Sequence, residues 1–487
     1  MREWTREEIQ RIGYRVVDLI ADHLSTLPSE PVFRPVPPAL ARHFLSTPAP
    51  VSPVPADEVL RVFEETIEPY PFGNGHPRFW GWVNSPPAVM GVFADALAAA
   101  MNPSCAGGNH AAVYVERQLL NWFRDMLGFP DTSMGLLVSG GSMATLTALA
   151  VARHVKSGAD VRVNGLRNAP RPFAFYMSSE AHGCARKAIE LLGFGSATIR
   201  TIPISADYRM KVDALDAALQ GDRAINVQPI AVVATAGTTN TGAIDDLEAI
   251  AEVCRQHDVW MHVDAAYGGP AILTGDYAER LAALARADSI ALDPHKWMFV
   301  PVEAGLVLVR DAEAMRSSFS LVPPYLRTDG STTGVGGPPW LSEYGFQQTR
   351  GFRALKVWMT MQQFGLNGFK AVIEENLALA RYLADRLRTA PDFGLMAPPE
   401  LSVVCFRFLD PSSPDEESQA SLNRRLLERL QLGGEAFLTS TELGGRFVLR
   451  ACIVNHRSTR DDIDRMLDAV RSIGRDLVAA SGVGRSF

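Results

Sequence analysis

The chain has 487 residues, 47% of them hydrophobic and 21% charged, with a formal net charge of −7. That is length for about two to four domains and ample apolar content for packed cores. The acidic balance excludes a basic nucleic-acid-binding surface, and no apolar run is long enough to span a membrane.

The first eight residues, Met1 to Glu8, are polar and of mixed charge, without the basic and apolar regions of a signal peptide. Five cysteines, at 105, 184, 254, 405 and 452, form no C-x-x-C pair and no zinc spacing. Together these features lead us to expect a cytoplasmic protein with reduced thiols. Residues 5–27 place Ile9, Ile12, Val16, Leu19, Ile20 and Leu24 on one helical face. Such a stripe has to be buried, on its own domain or on a second subunit. Pro28 to Pro55 reads as an extended, proline-rich arm, and Asp57 to Ile67 as a second helix. Gly73 to Trp82 is a turn-rich, aromatic-rich loop, either a core edge or a wall for a flat ligand.

Residues 112–127 read as a helix closed by Gly128-Phe129-Pro130. From 135 onward strands alternate with helices. The strands are 136–138, 173–177, 230–235, 259–263, 289–292 and 305–309; the helices are 143–155, 185–192 and 247–257. That alternation predicts an α/β fold with a mostly parallel sheet covered on both faces, whose ligands sit at the carboxyl ends of the strands. Residues 323–345 form a long irregular stretch of the kind used as a lid. A helix follows over 352–364, and the remainder, with strands 402–408 and 446–452, reads as a small α+β domain. The expected division is a helical arm over 1–85, a large domain over 86–355 and a small one over 356–487.

The strand ends carry the chemistry. Ser139-Gly140-Gly141-Ser142 opens a helix whose free amides suit a phosphate. His182 lies between a strand and a helix, able to stack on a ring or move a proton near neutral pH. Thr235-Ala236-Gly237-Thr238-Thr239 follows another strand, with hydroxyls to cap the next element or touch a ring substituent. Asp264 ends a buried strand, where a carboxylate needs a cation: a structural arginine, or a protonated pyridine nitrogen. Lys296, in Asp293-Pro294-His295-Lys296-Trp297, follows a strand that Pro294 stops. Burial there is expected to lower the lysine pKa towards the neutral amine that Schiff-base formation requires. An anion cradle, a stacking histidine, a strand-end aspartate and a buried lysine together define one ligand, pyridoxal 5′-phosphate (PLP).

At these residues the chain resembles the group II PLP-dependent decarboxylases, most closely the aromatic-L-amino-acid decarboxylases. The likeness rests on His262-Val263-Asp264-Ala265-Ala266-Tyr267 and Asp293-Pro294-His295-Lys296-Trp297. It extends through His76-Pro77-Arg78-Phe79, Ser142 to Leu149 and Phe352 to Trp358, and runs from about Tyr14 to Arg457. It implies the fold type I, aspartate-aminotransferase-like architecture and a homodimer, with a swapped N-terminal arm and active sites at the interface. It implies that Lys296 carries the cofactor, Asp264 pairs with the pyridine nitrogen, and His182 and Ala266 lie against the two ring faces. Gly141 and Ser142 match the phosphate turn, Thr239 a threonine near the cofactor hydroxyl and substrate carboxylate, and Asp293 and His295 the phosphate flanks. Many relatives carry Asn where this chain has Asp293.

Tyr325 falls where the family places a loop tyrosine, from the partner subunit, that returns a proton to the substrate α-carbon once CO2 has left. Relatives that make aldehydes oxidatively often carry Phe there, so Tyr325 favours simple decarboxylation. Loop closure over 323–345 would exclude water during that step. Trp82 and Ser85 match positions that line an aromatic pocket. The stretch from Ser104 to His110 departs from the family's bulkier residues, leaving room for a larger ring such as indole. The expected substrates are Trp, 5-hydroxy-Trp, Phe, Tyr or Dopa. The rivals are an aromatic aldehyde synthase, a decarboxylase of a non-aromatic amino acid, an aminotransferase, and a scaffold dimer that has lost catalysis. No metal ligand set is expected.

Overall fold

Seven short apolar runs build one sheet: β1 (Met134–Val138), β2 (Phe173–Ser178), β3 (Ile199–Ile202), β4 (Gln228–Thr235), β5 (Trp260–Asp264), β6 (Ser289–Leu292) and β7 (Gly305–Val309). The strand order is β1-β7-β6-β5-β4-β2-β3. β7 runs antiparallel to both of its neighbours, and all other neighbouring pairs are parallel. The central strands are buried almost end to end, as expected of strands covered on both faces. The helix Gly141–Lys156 crosses this sheet with Ala144, Ala148 and Ala152 buried; such small residues let it lie close to the strands.

The computed structural model describes residues 3–167, 169–321, 336–412 and 415–483. Contacts group the chain into two units: Val83–Arg381 with Ala397–Val404, and Met1–Trp82 with Tyr382–Met396 and Cys405–Phe487. The first holds the seven-stranded sheet. The second is built on a four-stranded sheet in the order β10-β11-β9-β8, from β8 (Phe393–Leu395), β9 (Val403–Phe408), β10 (Thr439–Leu443) and β11 (Arg446–Cys452). Helices Glu416–Gly433 and Arg460–Val483 pack together, the former on β11.

Two local differences from the sequence expectations have simple causes. The stretch 28–55 is not extended throughout, because Pro38 starts a helix, Pro38–Ser46, at the position where a missing N–H is harmless. The helix after Phe352 does not end at Phe364. Gly365 (φ 61°, ψ 168°) breaks it, and a second helix continues to Thr389. Helices Val89–Met101 and Val212–Ala224 and strand β3 also form where no element was expected.

In the second unit the helix Arg6–Thr26 opens with a Thr5–Glu8 capping box. It is tied to the helix Ala56–Thr66 by Arg11–Asp57 at 2.6 Å and Arg15–Glu64 at 2.7 Å. None of its residues is buried. Among the described residues no helix is long and apolar enough to cross a membrane.

Candidate active site

The carboxyl ends of β5 and β6 lie side by side, with Asp264 paired to Ala291. Pro294 ends β6, and the chain turns at once: Asp293 N–H donates to Ala266 O at 3.2 Å and Lys296 N–H to Asp293 O at 2.9 Å. This tight turn folds Lys296 back, and its Nζ lies 2.9 Å from Asp293 Oδ2. The Asp293 side chain is 3% exposed and that of Lys296 25%. Asp293 Oδ1 is buried with no hydrogen-bond partner. His295 is turned by its Nδ1 to Ala304 O (2.6 Å), with Nε2 3.9 Å from Asp293. Ser85 Oγ–H donates to His295 O at 3.2 Å.

The sequence expectation about Lys296 needs correcting. Burial does pull its pKa down, but the neighbouring Asp293 and, further off, Asp264 outweigh it, and the net shift is upward. The pairing with Asp293 thus favours the ammonium form of Lys296. Local burial was readable from the strand-end position; the carboxylate folded against the amine was not.

The Gly140–Gly141 turn is packed against this pair. Gly140 has φ 151°, a conformation side chains rarely adopt. A Cβ on Gly141 would stand 2.9 Å from Asp293 Oδ2 and 3.3 Å from Ala266 Cβ. No side chain caps the first turn of the helix that starts here, and Ser142 is exposed beside it. That end is therefore open to an anion.

His182 is exposed and caps the helix Gly183–Leu191, its Nδ1 accepting from Cys184 N–H at 3.3 Å. Ligand-type atoms of His182, Cys184 and Asp264 all lie within 4.8 Å of one another, so the histidine stands beside the aspartate. Asp264 Oδ1 accepts from Ala266 N–H at 3.1 Å. Burial, with Asp264 adding to it, pushes the Cys184 thiol up to about 12, which keeps it protonated.

Four supporting residues were not singled out from sequence. His262 precedes Asp264 by two positions and so shares its face of β5. Its ring nitrogens lie 2.9 Å from Ser289 Oγ and 3.3 Å from Thr145 Oγ1, and burial pushes it down to about 4. Thr145, one helical turn after Gly141, also lies 3.9 Å from Cys184 Sγ. Residues 180 and 240 join the two remaining loops: Asn240 Nδ2 donates to Glu180 Oε2 at 3.0 Å, linking the loop of His182 to the loop of Thr239, which is exposed. The spacings i, i+2 and i, i+4 were the available signals for the first two.

Three expected residues remain: Ser104, Trp82 and Tyr325. Exposed Ser104 precedes Cys105, which is fixed by Arg350: Cys105 N–H donates to Arg350 O at 2.8 Å, and the guanidinium donates to Cys105 O at 3.2 Å. Trp82 belongs to the second unit. There the loop 73–82 is a core edge: Phe79 and Trp80 are fully buried. The Trp82 ring stacks on Phe72 (5.3 Å, 26°) and stays 44% exposed. Tyr325 lies outside the described residues.

A PLP-sized group fits this donor set. There is an amine to condense with an aldehyde, a carboxylate beside a histidine, an uncapped helix start, a turn with no room for a Cβ, and a buried carboxylate oxygen with no partner.

Residues 38–409 match the pyridoxal-dependent decarboxylase conserved domain. The chain is 35% identical over 473 residues to an aromatic-L-amino-acid decarboxylase of Bacillus atrophaeus, covering 97% of this chain and 96% of that one. It is 36% identical over 405 residues to an L-2,4-diaminobutyrate decarboxylase of Rhizobium meliloti, covering 83% and 79%. The crystal structure of Oryza sativa TDC with PLP and tryptamine superposes with a TM-score of 0.91 at 28% identity, over 98% of this chain and 99% of that one.

Proposed function

Since the chain belongs to the pyridoxal-dependent decarboxylase family and is a PLP-dependent amino-acid decarboxylase, we propose that its substrate is an aromatic L-amino acid of the Trp, 5-hydroxy-Trp, Phe, Tyr or Dopa class, released as the arylalkylamine and CO2. The observation that carries this reading is the likeness to an aromatic decarboxylase along almost the whole of both chains. A second reading, an aliphatic diamino acid as substrate, is favoured by the similar identity to the diaminobutyrate enzyme over a shorter span.

When bound, the cofactor supplies an electron sink for the pair left behind as CO2 departs. In our reading Lys296 would be its covalent attachment point. Asp264 would hold a proton at the ring nitrogen, and His182 and Ala266 would lie against the two ring faces. Gly141 and Ser142, flanked by Asp293 and His295, would receive the phosphate, and Thr239 would meet the substrate carboxylate. Trp82, Ser85 and Ser104 contact the substrate side chain. Tyr325 delivers the proton to the α-carbon, and simple decarboxylation rather than aldehyde formation follows from its hydroxyl. The enzyme is a cytoplasmic homodimer in this reading. The stripe on the helix Arg6–Thr26 supports dimerisation: Ile9 remains 57% exposed in the single chain, an apolar surface that a second copy would cover.

The test is a panel of amino acids with CO2 and amine detection, run on wild type and on Tyr325→Phe. We expect amines from the aromatic set, and a shift from amine towards aldehyde in the variant. CO2 from 2,4-diaminobutyrate, glutamate or histidine, with none from the aromatic set, would overturn the substrate assignment.

A further inference from the structure

We propose that Asp293 is a latch on the capture lysine: in the cofactor-free enzyme it holds Lys296 against the Gly140–Gly141 turn, and the cofactor gains the amine only by opening this ion pair. The inference rests on the reading of Lys296 as the attachment point. It makes Asp293 a positioning residue that acts through Lys296, in addition to flanking the phosphate.

The geometry is specific. The Lys296 Nζ to Asp293 Oδ2 separation is 2.9 Å, within a single turn fixed by two backbone hydrogen bonds. The same Oδ2 is the atom that a Gly141 Cβ would strike, so the pair sits directly on the turn that opens the helix. With Lys296 in place the Asp293 side chain is shut off from solvent, 3% exposed, and Oδ1 has no protein partner. A buried carboxylate with an unused oxygen keeps a strong demand for a cation. The groups acting on Lys296 are Asp293, Asp264 and the Cys184 thiol; those facing Asp293 are Lys296, His295 and the Cys184 thiol. Both carboxylates favour the ammonium, and burial alone opposes it.

Condensation needs the free amine. The ammonium first gives up a proton to solvent. The amine nitrogen then adds to the aldehyde carbon, the carbonyl oxygen leaves as water, and a C=N bond replaces the C=O bond with no net redox change. Below the lysine pKa, the amine fraction rises about tenfold per pH unit. Loading of the empty enzyme is therefore slow near neutral pH and accelerates with alkalinity. Removing the Asp293 charge lowers the lysine pKa and moves the whole profile to lower pH.

The experiment mixes cofactor-free enzyme with excess PLP, and separately with pyridoxal, which lacks the phosphate. It follows the visible absorbance of the lysine-bound aldehyde across pH in wild type and Asp293→Asn. We expect the variant to load about tenfold faster or more near pH 7, with its pH profile displaced downward and the same acceleration for pyridoxal. An unchanged profile overturns the proposal. So does an acceleration confined to PLP, which would mean that Asp293 acts on the phosphate alone. If wild type itself acquires no absorbance that Lys296→Ala abolishes, the attachment-point reading fails instead. Should Asp293→Asn not fold, amine-selective labelling of cofactor-free wild type decides: Lys296 must label more slowly than exposed Lys187 beyond the deficit left on adding denaturant, and faster labelling overturns the latch.

Discussion

Two buried ion pairs of the larger unit lie against or just past the strands that flank β7, and they differ in their cation. Arg350 and Glu116 are 1% and 0% exposed and 2.6 Å apart, and Glu116 also accepts from Leu137 N–H of β1 at 3.0 Å. Lys296 and Asp293, after β6, are 25% and 3% exposed and 2.9 Å apart. Both acids are alike: each is buried and leaves one oxygen unpartnered, Glu116 Oε2 and Asp293 Oδ1. The difference lies in the cation. Arg350 spreads its fork over Glu116, Cys105 O and Leu137 O, and a guanidinium cannot shed its proton in this pH range. It fixes the loop after Ser104 to the strand that leads into the Gly140–Gly141 turn. Lys296 has one close acidic partner and reaches the open side of the site, and an ammonium can be deprotonated. The same type of bond is a rivet in one place and a catch in the other.

The largest effect expected is on chemistry, at the catch. Lys296→Ala should lose the visible absorbance of bound cofactor and at least about a thousandfold in kcat, since no other amine can take its place. Its cofactor-free form should lose less unfolding free energy than the Arg350 variant below, because taking away Lys296, itself 25% exposed, lets water reach Asp293. Chemical denaturation of both forms checks this. The rivet predicts the opposite pattern. Arg350→Met strands Glu116 as a buried charge and should cost about 3–5 kcal/mol of unfolding free energy, read as a lowered denaturant midpoint. Adding Glu116→Leu should recover much of that loss, since an apolar pair tolerates burial. If the single variant unfolds like wild type, the two pairs do not differ as argued.

The strand-end position of the catch was legible in the sequence; its ion pair and the rivet were not. Asp264, Gly141 and Lys296 each end or follow an apolar run at a Pro, a Gly or a short turn, so a local pattern places them at one edge of a parallel sheet. Glu116 and Arg350 are 234 residues apart, and each alone reads as an ordinary surface charge on or beside a helix. Only the packed fold makes them partners. The charge state of Lys296 fell between these cases. Its burial followed from the strand end, while its ammonium form depends on a side-chain distance set by the turn. The helix Pro38–Ser46 was hidden for another reason: proline marks both extended arms and helix starts, and the sequence pattern does not separate them.

His262 supplies a control with no ion pair at all. It is buried, held by Ser289 and Thr145, and its pKa is pushed down by burial to about 4. Unfolded, it titrates near the ordinary histidine value of about 6.5. Between those values the unfolded chain takes up a proton that the folded chain refuses. Stability is thus full above that window, falls as pH drops through it and levels out below, by about 3 kcal/mol in all. His262→Gln should flatten that part of the pH–stability curve by about one proton. Denaturant midpoints at several pH values measure this, and a slope unchanged in His262→Gln would mean that other groups carry the acid loss.

The smallest effect tests where the catch touches the anion turn. Gly141 needs no unusual φ, so Gly141→Ala adds only bulk, 2.9 Å from Asp293 Oδ2 and 3.3 Å from Ala266 Cβ. Asp293 has to move, and it can do so only by carrying Lys296 with it or by parting from it. Sheet and helix stay intact, so unfolding should change little. The Kd for PLP should rise about tenfold, about 1.4 kcal/mol, as the space for the phosphate narrows. Loading should at the same time become less steeply dependent on pH if Asp293 parts from the lysine. Equilibrium titration of cofactor-free enzyme reads the first quantity and the loading profile the second. A variant that binds PLP as tightly as wild type would place the phosphate away from this turn, and would leave Asp293 with the lysine as its sole partner in the site.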